Sequence, residues 1–285
     1  MPRLLTVLCV LAFVPLETGL AQQVTCSPPK DSHEAQLFAA FSVPVAYSVV
    51  EQPNALAPGR LRVGLEGTYL PNIDPEIRTA TVCRPGKGPE NTDLLSAFPR
   101  PRAFLGLPGG LLLEASWIPP IAIHQVKSNL VALSLARSFP LGRAGTALGL
   151  RLHGTFGLTQ GPFTCDDADL QDPTSECFQG TRSDDHYHPN IFGAEALLGW
   201  SLAEGRFRPF VGTGANILHP RFMVNFTNSF GSTDNTRVNV NLTRGVIFGG
   251  ATWAPSPRFG LSGEIYSAPA DAVTGRLMLS YAVLR

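Results

Sequence analysis

Several stretches of this sequence alternate apolar and polar residues with a period of two, and the polar set carries charges of both signs in mid-segment. In 61–69, apolar positions interleave with Arg62, Gly64, Glu66 and Thr68. Leu111, Leu113, Ala115 and Trp117 oppose Leu112, Glu114 and Ser116; Leu148, Leu150 and Leu152 oppose Arg151 and His153. Ala194, Ala196, Leu198 and Trp200 oppose Glu195, and Leu261 and Ile265 oppose Ser262 and Glu264. Leu277, Leu279 and Tyr281 oppose Arg276 and Ser280. Such a period belongs to strands that separate two environments.

After residue 21 no apolar run is long enough for a transmembrane helix. A closed barrel is then the remaining way to cross a bilayer, because every main-chain polar group must be paired. A secreted β-sandwich also alternates and is the competing architecture. Three features favour the membrane. Glu66, Glu114, Arg151, Glu195 and Glu264 suit a polar lumen. Tyr69, Trp200, Trp253 and Tyr281 fall near strand ends, as interfacial girdles do. Tight turns at 203–206 and 254–258 alternate with long polar loops at 161–190 and 228–237.

The expected fold is therefore all-β: a closed, antiparallel, up-and-down transmembrane barrel of about ten strands over residues 58–285. Placing the tight turns in the periplasm makes 60–70 run inward and leaves 71–109 as an irregular periplasmic stretch. Residues 37–50, within an N-terminal segment at 22–57, become the tenth strand or a helix lodged in the lumen. Both termini are then periplasmic. Segments 207–227 and 237–253 are expected to project beyond the bilayer as a hairpin.

Residues 1–21 read as a cleavable signal peptide, with Arg3, an apolar run over 4–16 and a small-residue site at Gly19-Leu20-Ala21. Val24-Thr25 before Cys26 lacks the small residues of lipoprotein processing. Export makes disulfides the expectation for the remaining cysteines. Cys165 and Cys177 share one loop and pair, which leaves Cys26 with Cys83 by default. Zinc is the competing reading, but no CxxC pair is present. A formal net charge of zero, with 15% charged residues, argues against nucleic acid as a partner. At 44% hydrophobic, disorder is excluded too.

The strand Arg208-Pro209-Phe210-Val211-Gly212-Thr213-Gly214-Ala215-Asn216, after a short turn, and the terminal strand over 276–284 resemble those of Gram-negative outer-membrane β-barrel proteins. The chain departs from that pattern by ending Ala282-Val283-Leu284-Arg285 rather than in an aromatic residue. The resemblance implies a bacterial outer-membrane location, with membrane lipid and the barrel-insertion machinery as partners. It implies no substrate.

The inward polar set comprises Arg62, Glu66, Glu114, Arg151, His153, Glu195, Arg208, Glu264 and Arg276. It is expected to line a narrow or gated route for small solutes, or to close the lumen by pairing. A surface-interaction barrel using its outer loops is the alternative. Metal is weighed at Asp166, Asp167, Asp169 and Asp172, whose oxygens suit Ca²⁺, and at His186 and His188, whose imidazoles suit Zn²⁺. The aspartates lack EF-hand spacing, the histidines sit in a polar loop, and solvated loops are the reading preferred. Catalysis as in lipid-modifying barrels would need a serine beside His153. No nucleophile motif is present, so the expectation is a non-enzymatic barrel without a cofactor.

Overall fold

The computed structural model describes residues 24–53, 56–123, 125–142 and 145–283. The expected signal peptide at 1–21 lies outside the described residues.

Alternation becomes a closed sheet of ten antiparallel strands. They are β1 (Leu61–Tyr69), β2 (Ala97–Leu107), β3 (Leu111–Ile118), β4 (Val126–Leu141) and β5 (Thr146–Gly161). Then follow β6 (Ile191–Trp200), β7 (Phe207–Leu218), β8 (Leu242–Trp253), β9 (Phe259–Ala268) and β10 (Ala272–Ala282). Each pairs with its chain neighbour, and β10 closes on β1 with Leu279 opposite Leu65 and Arg276 opposite Thr68. Closure removes both sheet edges, so the ladder satisfies the main chain without water.

The sheet is inverted relative to a soluble protein. Leu152 (63%), Ile265 (64%) and Leu277 (67%) lie exposed on the outer face, while Glu66, Glu114, Arg151 and Arg276 are buried inside. Tyr69 and Trp117 are exposed near one rim, and Phe207, Trp253, Phe259 and Tyr281 near the other. An apolar band between aromatic girdles, an even strand number, and short turns opposite long loops are the attributes of bacterial outer-membrane barrels, and this protein has that architecture. At the short-turn rim, Gly109 (φ 76°) and Gly110 (φ 73°) supply the left-handed backbone that joins β2 to β3.

Of the two forms expected for 37–50, it takes the second, helix and extended chain inside the barrel, and the tenth strand is supplied instead by residues 97–107, which form β2. Pro99 and Pro101 stand within β2, opposite Gly67 and Leu65 of β1. They lie outside the Arg102–Leu107 stretch that pairs with β3, where no ladder bond is forfeited. This addition reverses β1, which runs outward, and places 70–96 at the long-loop end instead of the periplasm. The stretch is irregular only as far as 96, with a 3₁₀ turn at Pro75–Arg78.

β4 and β5, each of 16 residues, continue past the barrel at the long-loop end. There β5 pairs with Asp185–His188, which pairs with Arg221–Met223, which pairs with Arg237–Asn239. Thr25–Cys26 adds to that last strand in parallel, so residue 25 lies at the outer end, not in the periplasm as expected. The chain beyond β7 and before β8 does project, as those short strands and a Phe226–Thr227/Thr233–Asp234 hairpin.

Helix α1 (His33–Val45) starts beneath this cover, where the Ser32 side chain accepts from the Ala35 N–H. It is apolar on nearly every side, which suits a helix enclosed on all sides. Its 13 residues reach about 20 Å into the barrel. Beyond Pro44 the chain extends through residues 46–53 to the short-turn rim. Gly106 lets the return of the chain press close, because a Cβ there would sit 2.3 Å from the Ala57 carbonyl.

Candidate functional site

The helix ends in mid-lumen, which leaves the carbonyls of its last turn without helical partners. Inward-facing arginines from three strands meet them. Arg276 of β10 donates to the carbonyls of Val43 (2.9 Å), Pro44 (3.3 Å) and Ala46 (3.2 Å). Arg100 of β2 donates to Val45 (2.9 Å) and Ala46 (3.3 Å), and Arg102 to the Ser48 carbonyl (2.9 Å). Arg151 of β5 bonds the Tyr47 carbonyl. Cations at a helix C-terminus complement its dipole, and here they are also buried.

The Tyr47 ring sits among the same guanidinium groups, with Arg102 4.2 Å and Arg151 4.9 Å from its centroid. Glutamates back the arginines from neighbouring strands. Arg102 pairs with Glu66, Arg151 with Glu114 (3.2 Å) and Glu195 (2.8 Å), and Arg276 with Glu264 (3.1 Å). Ser48 of the plug donates to Glu264. Nearer the short-turn rim, Glu51 of the plug pairs with Arg62 and with Arg208 (3.2 Å). Buried charges of this kind persist only when each meets a partner.

Of the residues singled out in the sequence, Arg62, Glu66, Glu114, Arg151, His153, Glu195, Arg208, Glu264 and Arg276 all face the lumen; Arg62 and Arg208 meet at Glu51 in a cluster nearer the short-turn rim, and the others join Arg102 in the central network. Sequence reasoning missed Arg100 and Arg102, because the prolines between and before them hid the alternation of 97–107. It also missed Glu51, whose role depends on where the plug lies. His153 stands 3.3 Å from Glu195, and no hydroxyl bonds its imidazole among the described residues.

The other candidates do not converge. Asp166 accepts from the N–H groups of Ala168 and Asp169, and Asp172 from that of Thr174, so these carboxylates cap their own turns. Asp169 in turn accepts from the Asp166 N–H, and Asp167 faces Gln125. His186 and His188 share a face of one short strand, yet they contact Gln160 and the Gly157 carbonyl respectively. Among the described residues no cluster of three or more such side chains is placed to hold a metal ion.

Above the plug, two disulfides brace the cover: Cys165–Cys177 within one loop, and Cys26–Cys83 tying the start of the N-terminal segment to the 70–96 loop. The second lies at the outer end, so the pairing expected of the sequence stands on the opposite side of the membrane. Next to it, buried Arg84 joins the loops through Glu90 (2.6 Å), Glu176 and Asp234 (3.5 Å). Burial pushes the Glu90 carboxyl up to about 7 despite the Arg84 guanidinium beside it, and the neighbouring Asp185 adds to the rise. Asp185 is itself raised by burial.

No protein-family model matches the sequence, and no curated protein matches it. Among solved structures, the chain is similar to Ail, the attachment invasion locus protein of Yersinia pestis, at 12% identity and a TM-score of 0.30, over 79% of this chain and 97% of that one. It is similar to the toluene transporter TbuX of Ralstonia pickettii (8%, 0.29, 80% and 90%). The outer membrane protein Omp33 of Acinetobacter baumannii is a third (9%, 0.26, 79% and 98%). Likenesses this distant bring no substrate with them.

Proposed function

We propose that this protein is a gated barrel of a bacterial outer membrane, closed by its own N-terminal segment and passing small solutes when that segment shifts. One observation carries the reading: the central lumen arginines donate to the main chain of residues 43–48 as well as to wall glutamates, and the element that blocks the lumen is not part of the wall. Contacts of this kind can be exchanged for water, whereas a lumen filled by wall side chains alone has nothing to withdraw.

The test is conductance in planar bilayers, comparing the intact protein with one lacking residues 33–52. The intact barrel is expected to be nearly silent and the deletion to conduct. A silent deletion that keeps the heat-modifiable gel mobility of a closed barrel would sink the reading. A second reading, contact with a surface partner, is favoured by Phe230, which stands 94% exposed at the tip of the 226–234 hairpin. Under it, Phe230→Ser abolishes surface binding and leaves conductance unchanged.

A further inference from the structure

Between the upper half of α1 and the wall lies a cavity of about 110 Å³. Leu37, Phe41 and Val45 of the helix line it with Phe98 and Leu130 of the wall and Leu95 of the 70–96 loop. Phe41 and Val45 are only partly buried although they stand inside the barrel. They are apolar groups in search of a partner.

Most polar side chains at the margin are already occupied; Arg84, whose Nε has no hydrogen-bond partner, is held by Glu90 (2.6 Å) and Glu176. The Ser128 and Thr159 hydroxyls bond each other at 3.1 Å. Glu34 accepts the N–H groups of Val82 (2.6 Å) and Cys83 (2.8 Å). Arg78 donates to the Ile73 carbonyl (2.9 Å) and to Asp93 (2.8 Å). A buried water needs two to four polar partners, and these groups have little left to offer one. An apolar cavity of similar size, roughly 150 Å³, stays dry and takes up benzene or xenon. A dry void also forfeits the dispersion contacts that a filled one makes, so an apolar occupant gains them without displacing bound water.

We propose that this cavity is a binding site for a small, neutral, apolar molecule about the size of one aromatic ring. Charged and strongly polar solutes are refused, because entry would strip their hydration and return no hydrogen bond. The site lies directly under the 70–96 loop and beside the plug, so an occupant touches both the outer cover and the gate. This deepens the gated-passage reading and rests on it for its purpose, though binding itself is measured separately.

The probes are xenon under pressure and benzene vapour, applied to crystals of the full chain, with benzene binding followed in parallel by ligand-observed NMR in micelles. Density is expected among Phe41, Val45 and Phe98. Val45→Phe and Leu95→Phe fill the space from opposite sides, and each should weaken binding by at least about tenfold while leaving the barrel's gel mobility intact. Having both variants guards against one failing to fold. Ordered water in the cavity, no probe density in the wild type, or unchanged occupancy in the folded variants overturns the site. Occupancy without any solute flux from the unplugged barrel leaves the site standing and removes the passage reading; flux with an empty cavity does the reverse.

Discussion

Arg100, on the second barrel strand, donates to the main-chain carbonyl of Val45 at 2.9 Å, where the plug helix ends. Arg100 makes no close ion pair among the described residues, in contrast to Arg102, Arg151 and Arg276. Its hydrogen bonds go to the plug. A buried guanidinium with no acceptor is costly, so this position makes sense only with the N-terminal segment in place.

Replacing Arg100 by Met therefore loosens the plug and spares the wall. Each charge-assisted bond is worth about 1.5–3 kcal/mol; the Val45 carbonyl loses its guanidinium donor, while that of Ala46 keeps Arg276. Brief openings should appear in single-channel records, with the gel shift of the closed barrel unchanged. Records as quiet as the wild type's would show that Arg100 does not hold the gate.

Leu135 lies on the outer face in the middle of β4, half-exposed. If hydrocarbon bathes it, Leu135→Arg costs about 2–4 kcal/mol and lowers the yield of inserted barrel. In a water-soluble sheet the same change would be neutral or would improve solubility. Urea unfolding in lipid vesicles separates the two outcomes.

The two disulfides should differ in weight. Cys26 and Cys83 are 57 residues apart and Cys165 and Cys177 only 12, so chain entropy assigns about 4 kcal/mol to the first and about 3 to the second. Cys26→Ser/Cys83→Ser is expected to lower the unfolding midpoint further than Cys165→Ser/Cys177→Ser. It should also raise conductance, since it frees the plug's outer end. Equal midpoints and equal currents would count against the tether.

Glu90 gives the outer cover a pH dependence. Its carboxyl titrates near 7 when folded against 4.5 as the ordinary value, so the native state binds the extra proton between those limits. The stabilisation is complete below about 4.5 and is lost as pH rises through about 7. Asp185, also raised by burial, acts in the same direction. The wild type should be more resistant to urea at about pH 5 than at about pH 8, and Glu90→Gln should flatten the difference. A slope unchanged in that variant would assign the effect to another group.

The face of each alternating strand was legible from the chain alone, because a period of two is a local property and places every side chain without reference to its neighbours. That is why the nine residues read as inward lie inward, and why the barrel architecture and the two cysteine pairings could be stated from sequence. Membership and direction were different matters. Residues 97–107 carry Pro99 and Pro101, and only the register shows that both prolines pair with β1 while lying beyond the stretch paired with β3. Residues 37–45 are apolar on nearly every side, a pattern that suits a buried strand or a buried helix equally until something encloses it. Closure of ten strands decided both, and with them the direction of β1, the outer position of Cys26–Cys83 and the partners of Arg100. Side-chain polarity follows from short-range pattern; which carbonyl meets which guanidinium depends on chain segments more than 50 residues apart, and only the folded barrel brings them together.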